Sequence, residues 1–129
     1  MNPFVYIILL GLAGSVGAML RFSLDLSVRT LISRSPRLGE VPGSMTMGIY
    51  TVNVLGSFIS GMVFASSAGW GWIWAPLVGA ALSGFTTFST AMVDALSLAL
   101  DRRRGRALAL WASQFVLAVA AAFLGYWVV

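Results

Sequence analysis

The sequence predicts an all-α membrane protein of four transmembrane helices, and three observations predict it. Of 129 residues, 59% are hydrophobic and 9% charged, where a soluble domain carries about a quarter charged residues to cover its surface. Mean hydropathy is +0.92. The charges are also bunched: Met1–Leu20, the 53 residues Val41–Val93, and Ala107–Val129 carry none. A span needs about 20 apolar residues to cross a hydrocarbon core ~30 Å thick. The outer runs therefore hold one span each and the middle run holds two. The chain reads as a single transmembrane unit over residues 1–129, with spans near 3–24, 45–64, 72–100 and 107–128.

Span one carries Gly11, Gly14 and Gly17, a spacing that lets helix backbones approach closely and marks an interface. Met-Asn-Pro-Phe supplies no basic leader, so this run is expected to be a span and not a cleaved signal peptide. Leu24, Val28, Leu31 and Ile32 alternate with Arg29, Arg34 and polar residues, an amphipathic tail expected at the membrane surface. Residues 35–43, rich in Pro and Gly, read as a loop. Span two ends at the turn Ser66-Ser67-Ala68-Gly69, followed by Trp70, Trp72 and Trp74, an interfacial aromatic belt. Span three reaches from Trp72 to Leu100. As one straight helix it would be about 43 Å long, well over the core thickness, so it either tilts and protrudes or is broken. The loop Asp101–Arg106 leads into span four, where Tyr126 and Trp127 mark the interface again.

Four crossings put loops one and three on one side. Arg29, Arg34 and Arg37 belong to the first, Arg102, Arg103, Arg104 and Arg106 to the third, and Arg21 lies toward the same side. The termini and the turn at 66–71 carry no Arg or Lys. The positive-inside rule then places both termini outside and both arginine loops in the cytoplasm. Anionic lipid headgroups are the expected counter-charge for the net +4, in preference to nucleic acid. There is no cysteine, histidine or lysine, which excludes disulfides, thiolate metal sites and imidazole acid–base chemistry. No nucleophile–base pair or phosphate-binding loop is present, and catalysis is not expected.

The polar residues inside the spans are few. Leu82-Ser83-Gly84-Phe85-Thr86-Thr87-Phe88-Ser89-Thr90 places five hydroxyls and a glycine near the bilayer midplane. Singly, these return hydrogen bonds to their own helix or allow close packing. Together they suit a discontinuous helix, whose freed backbone groups are tolerated only beside a polar cavity or a bound ion. Asn53, with Thr51 nearby and Gly56 and Ser57 one turn on, is the only carboxamide of span two. It reads either as interhelical glue or as a two-donor site for a desolvated anion. Ser113 and Gln114 in span four carry the same ambiguity. Arg21 has Asp25 four residues on, which fits an intrahelical pair or a charge that draws anions to a pore mouth. Asp94 reads as a cap for span three or a partner for loop three. Hydroxyls, amides and rings without a mid-membrane carboxylate resemble an anion path more than a proton-coupled cation pump. Phenyl edges are electropositive and can contribute to such a path. Four short helices enclose little, so at least two chains are expected to assemble.

Gly17-Ala18-Met19-Leu20-Arg21, Gly48-Ile49-Tyr50-Thr51-Val52-Asn53-Val54-Leu55-Gly56-Ser57-Phe58 and Gly84-Phe85-Thr86-Thr87-Phe88-Ser89-Thr90 occur in this order. They resemble the Fluc (CrcB) fluoride channels across all four spans. The resemblance implies a passive, selective fluoride exporter that protects a microbial cytoplasm. It further implies an antiparallel dimer with two pores and a sodium ion buried at its centre. By motif position Asn53 lines the pore with Thr51, Phe88 offers its ring edge to fluoride, and Thr90 and Ser113 belong to a hydroxyl track. Arg21 stands at the pore entrance. The backbone carbonyls of Ser83 and Thr86 hold the sodium at the break in span three.

Two departures stand out. Where the family usually has a second phenylalanine, this chain has Ala91, while Phe85 stands three residues before Phe88. The one-sided arginines also favour a single insertion direction, and hence a related subunit of opposite orientation as partner. A non-conducting partner subunit is one alternative function. A small multidrug-type transporter is another, although that class relies on a carboxylate in its first span, where only Asp25 lies at the edge.

Overall fold

The computed structural model describes residues 2–35 and 47–129. Most of the predicted first loop, with Arg37 and Glu40, and the predicted start of span two at Met45 lie outside the described residues. The chain forms α1 (Pro3–Ser33), α2 (Met47–Ser66), α3 (Trp74–Phe85), α4 (Phe88–Leu100) and α5 (Arg104–Val128). Four units are long and apolar enough to cross a membrane: α1, α2 with the 3₁₀ turn that follows it, α3 with α4, and α5. The protein is an all-α, multi-pass membrane protein.

Asn2 caps α1 by accepting from Phe4 N at 3.0 Å, and Pro3 occupies the first turn, where its missing N–H costs nothing. The helix does not stop at residue 24. Its 31 residues rise about 46 Å, so the amphipathic tail continues the same helix beyond the predicted span. No Gly or Pro interrupts residues 21–33. The hydroxyls of Ser23, Ser27 and Thr30 donate to carbonyls one turn back, at 3.0, 2.7 and 2.8 Å. The intrahelical ion pair also differs from the expected one: Asp25 accepts from Arg29 Nε at 2.9 Å, and Arg21 is not its partner. Side chains on a helix lean toward its N-terminus, so an acid reaches the base four residues after it more readily than the one four before.

The helices pack as two tight pairs, α1 with α3 and α2 with α5, while α4 lies against α5. Glycine makes both crossings possible. A Cβ on Gly17 would run into the Ala81 carbonyl, and one on Gly84 into the Gly14 carbonyl. At the other crossing Gly61 lies against the Ala122 carbonyl and Gly125 against that of Phe58. Apolar side chains gain nothing by leaving lipid for one another, so membrane helices associate through such close backbone approach. The third span therefore changes partner along its length: α3 rides on α1 and α4 on α5.

Aromatic side chains gather at the end of the bundle that holds the termini and the α2–α3 turn. Tyr6 packs on Trp72 with ring centroids 5.7 Å apart, and Phe64 on Tyr126 at 6.2 Å. At the opposite end α4 closes with Arg103 N donating to Leu98 O at 3.0 Å, and Arg102 takes a left-handed conformation with φ 58°. Few side chains are buried within the described residues. The apolar ones are Ile49, Val52, Ala91, Ala95, Ala107 and Ala121; the polar ones are Asn53 and Gln114. A core this small, with two carboxamides in it, turns attention to what those carboxamides do.

Candidate ion site at the α3–α4 junction

Between α3 and α4 the backbone of Thr86 and Thr87 is extended, with φ/ψ of −79°/151° and −143°/116°. Thr86 N closes α3 on Leu82 O at 3.0 Å. The Thr87 hydroxyl caps α4 by accepting from Thr90 N. Threonine suits this position because its oxygen takes up an N–H that the helix start leaves free. Thr87 is also the middle residue of the 27-residue span Trp74–Leu100, where water is scarcest.

Backbone groups freed at that depth need partners, and Asn53 of α2 supplies them. Its Oδ1 accepts from Thr87 N at 2.9 Å, and its Nδ2 donates to Thr87 O at 2.9 Å. The carboxamide thus pairs with one residue's backbone from both sides. The second proton of Nδ2 goes to Gln114 Oε1 on α5 at 3.0 Å. Gly56, one turn after Asn53, makes room for the junction: a Cβ there would press on Thr86 Cγ2 and the Phe85 ring.

Two helix ends of opposite polarity meet here. The C-terminus of α3 leaves the carbonyls of its last turn unpaired and partially negative, and the N-terminus of α4 is partially positive. Beside them lies a cavity of about 300 Å³ whose lining includes Asn53, Ser57, Ser60, Thr87, Phe88 and Gln114. Among the described residues its walls carry amide and hydroxyl groups, aromatic rings and no carboxylate.

The structure gathers some of the residues singled out from the sequence and separates others. Asn53 and Phe88 line the cavity, Phe88 as the first residue of α4 with 70% of its surface exposed. Ala91 lines it too, buried at the position of the missing phenylalanine. Thr90 stands in the first turn of α4 with its hydroxyl 3.2 Å from that of Thr87. Ser113 lies outside the cavity lining: its Oγ contacts the Tyr50 hydroxyl and donates to Leu110 O at 3.0 Å. Thr51 returns its hydroxyl to Met47 O at 2.9 Å and lines a different depression, with Tyr50 and Phe58. Arg21 is partly buried, and its Nε has no hydrogen-bond partner among the described residues. Ser83 lines a third depression, with Ser60 and Ser67, and Thr86 lines both that depression and the junction cavity. Gln114, paired with Ser113 in the sequence, is the residue that reaches the site. The available signal was that it is the chain's only glutamine.

The described residues thus form a multi-pass membrane bundle of four spans with a polar junction at mid-depth. Residues 8–126 match the family described as CrcB-like protein, Camphor Resistance (CrcB), and the chain belongs to that family. It is 35% identical to "Fluoride-specific ion channel FluC 1" of Leifsonia xyli subsp. xyli, over 98% of this chain and 88% of that one. It is 34% identical to "Fluoride-specific ion channel FluC 2" of Mycobacterium bovis, over 91% and 85% of the two chains. A protein of Yersinia pseudotuberculosis with the latter name is 32% identical, over 91% and 90%.

Proposed function

We propose that this chain is a subunit of a passive, fluoride-selective channel that lets fluoride leave the cytoplasm across the cell (inner) membrane. One observation carries the reading: a carboxylate-free polar junction lies at mid-span, in a chain whose relatives are named fluoride-specific channels. Fluoride is small and a strong hydrogen-bond acceptor, so a path for it must replace its water with donors and electropositive edges. The α4 N-terminus, the Gln114 amide, the cavity hydroxyls and the Phe88 ring edge provide these. A carboxylate would repel the ion, and a wholly apolar wall would leave it unsolvated.

The working unit is an antiparallel dimer with two pores. The exposed apolar surface of α1 and α3 supports an interface there, since each of their spans is only 6% buried within this chain. A sodium ion fits the dimer centre through the carbonyls of Ser83 and Thr86. Thr87 N, which would otherwise bond the Ser83 carbonyl, is turned to Asn53, leaving that oxygen at the negative end of α3. When bound, the ion supplies a fixed positive charge that holds the chain junctions together. Arg21, whose Nε has no hydrogen-bond partner among the described residues, draws anions to the entrance.

The arginines set the orientation: termini outside, both arginine loops in the cytoplasm and near anionic headgroups. The partner in cells is then a related subunit of opposite orientation. Cysteine tags at the two termini are expected to label from outside alone; equal labelling from both sides would restore a dual-orientation homodimer. Detergent extraction and reconstitution insert chains both ways, which makes antiparallel pairs available from this chain alone. Fluoride efflux from such liposomes is expected to proceed at the same rate with and without a pH gradient. A requirement for the gradient would point to proton-coupled transport in place of a channel.

A further inference from the structure

The donors and acceptors around Asn53 do not come out even, and the surplus lies on Gln114. The backbone of Thr87 fixes every orientation in the network, because its N–H can only donate and its carbonyl can only accept. Asn53 must therefore turn Oδ1 toward Thr87 N and Nδ2 toward Thr87 O. Its remaining proton meets Gln114, which must answer with Oε1. This leaves Gln114 Nε2 with two protons and no acceptor within the described residues. Gln114 is 6% exposed and lines the junction cavity. A buried, unsatisfied amide donor is unfavourable unless something that accepts hydrogen bonds comes to it.

Asn53, by contrast, has no proton left to offer. One goes to Thr87 O and the other to Gln114 Oε1. A ligand could use Asn53 only by displacing one of these two acceptors, the Thr87 carbonyl or the Gln114 amide oxygen.

We propose that Gln114 Nε2 is the carboxamide donor that the desolvated anion meets in this cavity, and that Asn53 acts as a positioning residue. Asn53 closes the α3–α4 junction and locks Gln114 with its donors free. The ligand class is a small, strongly accepting anion. The inference rests on the channel reading above and adds the group that makes the contact. Thr87, Asn53 and Gln114 then form one relay in which a backbone kink on the third span dictates which way an amide on the fourth span faces.

The chain has a single glutamine, so glutamine labelled with ¹⁵N at Nε2 gives one side-chain NH₂ signal in the full-length protein. Adding fluoride to the reconstituted protein is expected to move that signal downfield in a saturable way, while chloride at the same concentration leaves it in place. A Gln114 signal that stays put while the same liposomes pass fluoride would overturn the proposal and leave the channel reading standing. If the wild-type liposomes pass no fluoride, the channel reading itself has failed.

Two variants separate donation from positioning. Gln114→Glu, assayed where the carboxyl is ionised, keeps an oxygen for Asn53 Nδ2 but loses both donors and adds a charge that repels an anion. The neutral Gln114→Met loses donors and oxygen alike. Both are expected to slow fluoride efflux by at least about tenfold, the loss expected when one hydrogen bond to a charged ligand is removed. A Gln114→Met protein that conducts like wild type would show that no donor is needed at this position, and the proposal would fall.

Discussion

Replacing Asn53 by leucine is expected to abolish fluoride efflux and to lower stability by about 3 kcal/mol, through several buried polar groups left without partners. The side chains are similar in size, so shape is not the main loss. Thr87 N, Thr87 O and Gln114 Oε1 all bond Asn53, and all three would be stranded at the centre of the span. The chain can relieve part of this by letting Thr87 N return to the Ser83 carbonyl and straightening α3 into α4. That relief carries its own consequence, because it removes the two helix ends that give the cavity its polarity. Asn53→Leu should therefore lose function even where enough protein folds to be measured. Thermal unfolding in detergent reads the first effect. Hydrogen exchange at the Thr87 amide reads the second, with protection passing from a side-chain bond to a helical one. An Asn53→Leu protein with wild-type stability and efflux would contradict this account of the junction.

The second large effect is expected at the α1–α3 crossing. Gly84→Val should destabilise the bundle by about 3 kcal/mol or more, as overpacking does when the obstacle cannot move aside. The obstacle here is backbone: a Cβ on Gly84 meets the Gly14 carbonyl and crowds Ala18 N. No rotamer change relieves a clash with a carbonyl, so the helices must separate along the face that holds them. Gly79, on the same helix, is the matching control. Nothing lies within 4 Å of a Cβ there, and Gly79→Ala should be neutral or stabilising by up to about 1 kcal/mol through helix propensity. Unfolding midpoints of the two variants test the pair. Equal destabilisation would mean that glycine matters here for flexibility and not for close approach.

The four spans were legible because charge is so costly in hydrocarbon that its absence over Met1–Leu20, Val41–Val93 and Ala107–Val129 admits little else. Where a helix ends was less legible. Arg21, Asp25 and Arg29 mark where α1 leaves the lipid, yet nothing in residues 21–33 stops a helix, and it runs on to Ser33. The end of a span and the end of a helix are set by different forces.

The site was legible in composition but not in detail. The hydroxyl-rich stretch 83–90 and the lone Asn53 stand out in any apolar chain. Whether Asn53 is glue or donor depends on a backbone 34 residues away, and no local pattern reveals that. Ser113 and Gln114 are neighbours in sequence but about 100° apart around a helix. α5 is apolar on every side, so its sequence does not say which of the two faces inward. Ser113 goes to Tyr50 and Gln114 to Asn53. That one-residue difference decides which side chain reaches the cavity.

The central claim is that this polar junction serves fluoride and little else. Its most direct test is the release of fluoride and of chloride from liposomes that contain this chain alone, loaded with both ions, with a potassium ionophore balancing charge. The account predicts that fluoride empties at least about a hundredfold faster than chloride, a discrimination of about 2.7 kcal/mol. Comparable release of the two ions, or retention of both, would contradict it.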